Sequence, residues 1–224
     1  MYNIFTKSKS LIITMVVAGT MVIASNAVAG KGKGKPGKNG ILEGGTIVEI
    51  AATVNAANGQ FTNLLTAVGC FGPITLEPGD NPIIDLLNGE DKYTLFAPVY
   101  DAFVTLRTRL EDLGFDCVLA DPCILNDSED LATNTLFTVL AYHVVDGRRF
   151  SNSVFNANSV KMVATLAGAD ITTYVDSEGV PMLHDVDGQE IGIVSPLVNI
   201  NAVNGVIHGI DTVLLPIDLP GNDD

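Results

Sequence analysis

Histidine is the side chain best suited to acid–base chemistry near neutral pH, and this chain carries only three histidines, at positions 143, 184 and 208. They stand 41 and 24 residues apart, and no His-Glu-x-x-His pair or other paired spacing links them. The sequence therefore contains no metal-binding motif built on histidine. We expect His184 in VPMLHDV and His208 in VIHGIDTV to be partly buried strand residues rather than ligands.

His143 lies in LAYHVVDGRRF, beside a tyrosine and just before an Asp-Gly turn and two arginines. On a helix, His143 points in nearly the same direction as Leu136, seven residues earlier, and Leu140 lies between them on that face. A buried imidazole needs a hydrogen-bond partner. The segment YTLFAPVYDAF offers Thr94 and Asp101. We therefore predict a structural hydrogen bond from His143 to this segment rather than a catalytic role.

The neighbours of His143 are better placed to meet a partner. Tyr142 projects about 100° away from His143 around a helix, and Arg148, Arg149 and Phe150 follow in the turn. Arginine and aromatic residues are over-represented among the residues that dominate binding energy. We therefore predict a recognition surface formed by Tyr142, Arg148, Arg149 and Phe150; the alternative is an ordinary solvated turn.

The chain has three cysteines, Cys70, Cys117 and Cys123, so one thiol is left over if a disulfide forms. A disulfide between Cys117 and Cys123 would close a tight loop. A disulfide between Cys70 and Cys123 would close a longer loop and constrain the unfolded chain more. We predict the second pairing and leave the first open. Well-separated cysteines without nearby histidines do not indicate a zinc site.

Other catalytic and metal-binding patterns are also missing from the sequence. It has no Gly-x-Ser-x-Gly elbow of a serine hydrolase, and a carboxylate pair chosen from 26 acidic residues carries no information. The segment DVDGQE at 185–190 begins like a calcium loop but lacks the later ligands, so we interpret it as a hairpin turn. We expect no enzyme activity, no catalytic residue, no resident metal and no cofactor.

Charge is distributed unevenly along the chain. The formal net charge is −14, becomes −16 without Lys7 and Lys9, and becomes −20 for residues 41–224, once the four lysines at 31–38 are also left out. Nucleic-acid binding needs a basic footprint, so we expect no nucleic-acid partner. Tryptophan is absent, which removes a tryptophan platform for stacking sugars.

The N-terminal residues have the layout of a secretory signal peptide. Two lysines precede a 14-residue apolar run at 11–24, and Ala27-Val28-Ala29 supplies a small-x-small cleavage pattern. The run is shorter than the ~20 residues that span a bilayer, so we expect cleavage and no stable membrane insertion afterwards; an uncleaved anchor is the alternative. We predict a signal peptide at 1–29, a basic Gly-rich leader at 30–45, one domain at 46–217 and an acidic tail at 218–224.

The elements that must position these side chains follow from periodicity. Helical spacing opens with the capping-box pair Thr46 and Glu49 and continues through the segments TIVEIAATVNAANG, QFTNLLTAVG, VYDAFVTLRTRL and TLFTVLAYHV. Strand-like segments dominate after Val144. Helices followed by strands predict an α+β fold with a largely antiparallel sheet system.

The predicted strands are joined by hairpin turns at DSEG, at DGQ and at Asn204-Gly205. Two segments, 70–91 and 111–130, contain several prolines or acidic residues and show no sustained period. We predict that both are irregular and that the second is a surface insertion.

Three segments resemble, in order, the signature segments of the fasciclin domain: YTLFAPVYDAFVTL, LAYHVVDGRRFSNSV and NGVIHGIDTVLLP. The segment TIVEIAATVNAANGQFTNLLTAVG resembles the opening helices of the same family, and the whole resemblance covers residues 46–216. It implies a compact wedge of two packed β-sheets with helices at one end.

The resemblance also implies an exported protein, secreted, periplasmic or attached to the cell surface, that acts without enzymatic activity in adhesion. Its partner would be a protein or a glycan of the cell surface or matrix. A module that binds a small ligand or a polysaccharide is the first alternative and would need a concave cavity of ~300 Å³ or more with convergent polar groups. A secreted hydrolase is the second and would need a paired nucleophile and base. The sequence leaves the oligomeric state open.

Overall fold

The computed structural model of the chain describes residues 44–74, 79–114 and 134–219. Within these residues the helices are α1 (Ile47–Asn58), α2 (Thr62–Gly69), α3 (Pro82–Asn88), α4 (Tyr100–Asp112), α5 (Thr135–Tyr142) and α6 (Ser151–Val154). The strands are β1 (Tyr93–Pro98), β2 (Val144–Asp146), β3 (Lys161–Ala164), β4 (Asp170–Val175), β5 (Pro181–His184), β6 (Glu190–Gly192), β7 (Ile200–Ala202) and β8 (Gly205–Ile210). The predicted signal peptide, nearly all of the leader, most of segment 111–130 and nearly all of the acidic tail lie outside the described residues.

The strands form two four-stranded sheets beside the helices, so the predicted α+β class is confirmed. The first sheet has the order β2-β1-β8-β7, and the second has the order β3-β4-β5-β6. Strand β1 runs parallel to β8, with Tyr93 opposite Gly205 and Pro98 opposite Ile210. The other strand pairs are antiparallel. This parallel central pair is the exception to the predicted antiparallel arrangement.

The side chains of the first sheet alternate between two hydrophobic cores. Leu95 and Ile207 pack with residues of the helices, whereas Phe96 and Ile210 pack with residues of the second sheet. All six residues of β1 and all six of β8 are buried, because this sheet is covered on both faces. The first sheet is therefore the middle layer between helices and the second sheet.

Three of the described helices, α1, α3 and α5, begin where a local side chain caps them. Thr46 and Glu49 form the predicted capping box at the start of α1, and the Asn134 side chain caps α5. Helix α3 lies inside the stretch that we predicted to be irregular. Its first residue, Pro82, is compatible with the first helical turn because that position needs no N–H donor, and Asn81 caps the helix.

The last hairpin turns one residue earlier than predicted. Ala202 of β7 lies opposite Gly205 of β8, so Val203 and Asn204 make the turn and Gly205 already belongs to the strand. The glycine is required by space, since a Cβ atom at position 205 would lie 2.2 Å from the carbonyl oxygen of Tyr93.

Asn204 uses its position in this turn to connect distant elements. Its buried side chain accepts a hydrogen bond from the Ile47 N–H at 2.8 Å. The same side chain donates to the carbonyl oxygens of Leu87 at 2.8 Å and Gly89 at 2.9 Å. The hairpin is thereby tied to the start of α1 and to the end of α3.

Candidate functional site

His143 is buried immediately after α5, with 1% of its surface exposed. Its Nε2 atom accepts a hydrogen bond from the Leu214 N–H at 3.0 Å, and its Nδ1 atom lies 2.7 Å from the Val139 carbonyl oxygen. Because an amide N–H can only donate and a carbonyl oxygen can only accept, the imidazole carries its proton on Nδ1. Burial lowers the pKa of His143 to about 4, so the ring is neutral at neutral pH.

The predicted side-chain partners of His143, Thr94 and Asp101, are wrong. Both ring nitrogens are engaged elsewhere, and Asp101 is exposed on α4. The Thr94 hydroxyl donates instead to the Gly147 carbonyl oxygen at 2.7 Å. The predicted segment still contacts His143 through the main chain, since the His143 carbonyl oxygen accepts the Phe96 N–H at 2.9 Å.

The other two histidines occupy opposite environments. His208, on β8 as predicted, is fully buried, and its ring stacks on Phe96 with centroids 5.6 Å apart. Its Nε2 atom lies 2.9 Å from the Arg149 carbonyl oxygen, and burial lowers its pKa. His184, on β5, is exposed, so the predicted partial burial is wrong for this residue because it points to the outer face of the second sheet.

The turn after β2 presents Arg148, Arg149 and Phe150, which are exposed as the recognition hypothesis requires. The main chain beneath them is held by buried groups. The Arg149 N–H donates to the Thr94 hydroxyl at 2.8 Å, and the Arg149 carbonyl oxygen faces His208. Sequence reasoning missed this supporting role of Thr94 and His208, because both residues lie far from the turn along the chain.

The guanidinium groups of Arg148 and Arg149 contact neutral groups. Arg148 donates from Nη2 to the Asn201 side-chain oxygen, and its guanidinium carbon lies 5.4 Å from the centroid of the Phe150 ring. Arg149 donates from Nε to the Asp146 carbonyl oxygen at 3.0 Å. The ion pairs within the described parts of the chain are instead Arg107 with Glu111 and Arg109 with Asp187.

Tyr142 does not belong to this surface, so its predicted recognition role is wrong. Its side chain has 0% exposure and packs in the core between the sheets. Its hydroxyl donates to the Asp170 carbonyl oxygen at 2.9 Å, and burial raises its pKa to about 12. Tyr142 projects sideways from α5, as predicted, but the second sheet covers that side of the helix.

The turn between β5 and β6 holds two buried carboxylates that sequence reasoning did not select. Asp185 accepts the Leu215 N–H at 2.9 Å and the Gln189 N–H at 3.0 Å, and burial raises its pKa. Asp187 pairs with Arg109 and accepts the Leu219 N–H at 2.6 Å. These carboxylates therefore hold the segment after β8 in place through hydrogen bonds. The described residues contain no cluster of three or more side chains that could bind a metal ion.

The predicted disulfide is placed only in part by the structure. Cys70 is half-buried at the end of α2. Both Cys117 and Cys123 lie outside the described residues. The pairing of Cys70 with Cys123 therefore stays a prediction.

A cavity lies between the helices and the first sheet, and its walls are almost wholly apolar. Its volume of about 30 Å³ leaves room for about two water molecules. His143 is among the residues that line it, but both ring nitrogens are used elsewhere.

Among the described helices, none combines the length and the apolar character that a membrane crossing requires.

Comparison with known proteins identifies the family. The fasciclin domain family matches residues 80–216. Protein sll1483 of Synechocystis sp. is 30% identical over 171 residues, which cover 76% of this chain and 73% of that protein. Among solved structures, a FAS1 domain pair from the insect cell adhesion molecule fasciclin I is similar with a TM-score of 0.49 and 18% identity, over 70% of this chain and 46% of that one. Because the family match covers more than half of the chain, this protein belongs to the fasciclin domain family.

Proposed function

We propose that this chain is a secreted or surface-associated protein that acts without enzymatic activity in adhesion or matrix contact, by binding a protein or a glycan. Fasciclin domains are known for adhesion and extracellular interactions, and the family match supports this role. The signal-peptide layout of residues 1–29 supports export.

The observation that carries the proposal is the turn with Arg148, Arg149 and Phe150. These side chains are exposed, while the main chain of Arg149 is fixed by Thr94 and His208. A surface whose backbone is already ordered loses less entropy when it binds. Arginine and aromatic side chains on such a support are the groups that most often dominate a binding interface.

The geometry of the chemically capable residues argues for binding rather than catalysis. Catalysis needs a nucleophile and a base in contact, with space for a reacting group beside them. His143 and His208 are buried and hydrogen-bonded, and His184 stands exposed on a sheet face. The apolar cavity offers no convergent polar groups that would orient a small ligand.

The test compares attachment of cells that carry the full chain with attachment of cells that lack it, on arrays of surface glycans and matrix proteins. Arg148→Glu and Arg149→Glu should each reduce attachment, because they place a carboxylate where the partner meets a guanidinium. Arg107→Glu is the matched control, since it makes the same charge change at an exposed arginine of α4. Attachment that survives both turn substitutions would contradict the proposed surface.

Export is tested separately by the mass of the protein recovered outside the cytoplasm. We expect a chain that begins at Gly30, after cleavage behind Ala29. An intact N-terminus on a membrane-bound chain would support the uncleaved anchor instead.

A further inference from the structure

The positive charges of the described domain are concentrated near one turn. Residues 41–224 carry a formal charge of −20 and only six basic side chains. Arg107 and Arg109 pair with carboxylates. Of the other four basic residues, Arg148 and Arg149 lie in the turn after β2, and the Lys161 ammonium donates to the Ser153 carbonyl oxygen of α6 at 2.6 Å. The main chain of Lys92 also contacts the turn, since its carbonyl oxygen accepts the Gly147 N–H at 2.7 Å, but the Lys92 ammonium donates to the Glu90 carbonyl oxygen at 3.0 Å.

Arg148 and Arg149 lack an ion-pair partner among the described residues of a chain with 26 acidic side chains. Their contacts are with the Asn201 amide, the Phe150 ring and the Asp146 carbonyl oxygen, all of them neutral. Each guanidinium therefore keeps N–H donors for an external anion. The fork of donors on arginine matches carboxylate, sulfate and phosphate groups in a bidentate manner.

Apart from the exposed Asp146 side chain, two residues before Arg148, the groups described next around the two arginines are neutral. The Ser151 N–H donates to the Asn199 side-chain oxygen at 2.7 Å, and the Asn199 amide donates back to the Ser151 hydroxyl at 2.8 Å. Asn201 is half-buried beside them. Phe150 is 38% exposed, and the Arg148 guanidinium lies over its ring. The residues that contact the two arginines offer a protein partner only the Phe150 ring as apolar surface for an interface core, whereas hydroxyl and amide groups suit the hydroxyls of a sugar chain.

We propose that this turn binds an acidic polysaccharide, with Arg148 and Arg149 on its carboxylate or sulfate groups and the Ser151, Asn199 and Asn201 side chains beside its hydroxyls. This inference rests on the proposed function and names the class of its partner. The acidic remainder of the domain repels a polyanion, but at physiological ionic strength that repulsion is screened beyond about 8 Å. The polysaccharide is therefore held at this face alone.

The binding test must separate the turn from the basic leader, which carries four lysines. It uses the full chain with Lys31, Lys33, Lys35 and Lys38 all replaced by Gln. The probes are alginate, a carboxylated polysaccharide; dextran sulfate, a sulfated one; neutral dextran; and polyglutamate, which carries carboxylates without sugar hydroxyls. Affinity is measured by biolayer interferometry at 0.15 M salt.

We expect binding to alginate or dextran sulfate, none to neutral dextran, and about tenfold weaker binding to polyglutamate, because the loss of several hydrogen bonds between sugar hydroxyls and the neutral Ser151, Asn199 and Asn201 side chains lowers affinity by a factor of that order. Arg148→Gln and Arg149→Gln should each weaken polysaccharide binding about tenfold, because each removes a hydrogen bond between two charged groups. Arg107→Gln, which removes an equal charge from α4, should leave the affinity unchanged.

Equal affinity for polyglutamate and alginate overturns the assignment to a polysaccharide, and so does the absence of binding to both acidic polysaccharides. The attachment experiment separates this failure from failure of the proposed function. If Arg148→Glu and Arg149→Glu abolish attachment while no acidic polysaccharide binds, the adhesion surface stands and its partner is of another class. If neither Arg148→Glu nor Arg149→Glu changes attachment and no acidic polysaccharide binds, both proposals are overturned.

Discussion

The imidazole of His143 connects the end of α5 to the segment after β8, because its Nε2 atom accepts the N–H of Leu214 at 3.0 Å. Its Nδ1 proton points back to the Val139 carbonyl oxygen of its own helix. His143 is thus close to the exposed turn in the sequence, but its side chain is buried and links two elements that are far apart along the chain.

Replacing His143 with Ala should lower the free energy of unfolding by about 1–3 kcal/mol, because the buried Leu214 N–H and Val139 carbonyl oxygen lose their partner. Urea denaturation followed by circular dichroism measures this change. His184→Ala is the matched control and should change stability by less than about 0.5 kcal/mol, since that histidine is exposed. Equal stability of the His143 variant and the wild type would contradict the structural role.

Stability should fall as the pH drops from about 6.5 toward 4. Burial lowers the pKa of His143 to about 4 from the ordinary 6.5, so in this interval the unfolded chain binds a proton that the folded chain does not. This linkage is worth on the order of 3 kcal/mol for His143, and His208, whose pKa is also lowered by burial, acts in the same direction. The raised pKa of Asp185 opposes the trend at the acidic end.

Urea denaturation between pH 4.5 and pH 7.5 measures this dependence. A His143→Gln variant lacks the titrating group, so its stability should vary less over the same interval. The prediction is refuted if the wild type and the variant lose stability in parallel as the pH falls.

Asn204→Ala should destabilise the protein by about 3 kcal/mol, because three main-chain groups, two of them in buried hydrogen bonds, lose a side-chain partner. Asn204→Asp should be worse at neutral pH, since a carboxylate cannot donate to the carbonyl oxygens of Leu87 and Gly89. Hydrogen exchange should show faster opening of α1 in both variants. Asn152→Ala, at an exposed asparagine of α6, should show none of these changes.

Tyr142→Phe removes one buried hydroxyl and should cost about 1 kcal/mol. It should leave attachment and polysaccharide binding unchanged, because Tyr142 has no exposed surface. Thermal denaturation and the attachment assay together check this expectation. Loss of attachment in a variant that melts normally would return Tyr142 to the recognition surface.

Asp187→Ala should release the segment that follows β8. The buried carboxylate holds Arg109 and the Leu219 N–H, and breaking a buried ion pair costs ~3 kcal/mol or more. Hydrogen exchange at residues 213–219 should rise in this variant. Glu111→Ala removes the carboxylate of the exposed pair with Arg107 and should cost less than about 1 kcal/mol; equal effects of the two substitutions would contradict the fastening role of Asp187.

Features encoded by neighbouring residues were predictable from the sequence. The capping box of Thr46 and Glu49 and the hairpin between β4 and β5 depend on side chains only a few positions apart. Helix α3 was not predicted because the three prolines of segment 70–91 suggested an irregular chain, although one of them, Pro82, is the first residue of the helix. The turn at Asn204 was displaced by one residue because the space beside Tyr93 decides where Gly205 must lie.

The candidate site shows the same division. The exposure of Arg148, Arg149 and Phe150 follows from their polar, Gly-containing turn. The partners of His143 could not be derived, because Leu214 reaches it from 71 residues away. Helical phase gave the direction of Tyr142 relative to its own helix, but whether that direction meets solvent depends on the second sheet, which forms from later residues.

The parallel pairing of β1 with β8 also sets the order of events when the domain is made. Tyr93 finds its neighbour Gly205 only after about 110 further residues have been synthesised. Contacts between such distant parts of a chain form late and slowly. The centre of the first sheet therefore stays incomplete until almost all of the chain has been synthesised. This delay is compatible with the proposed export of the chain across a membrane before it folds.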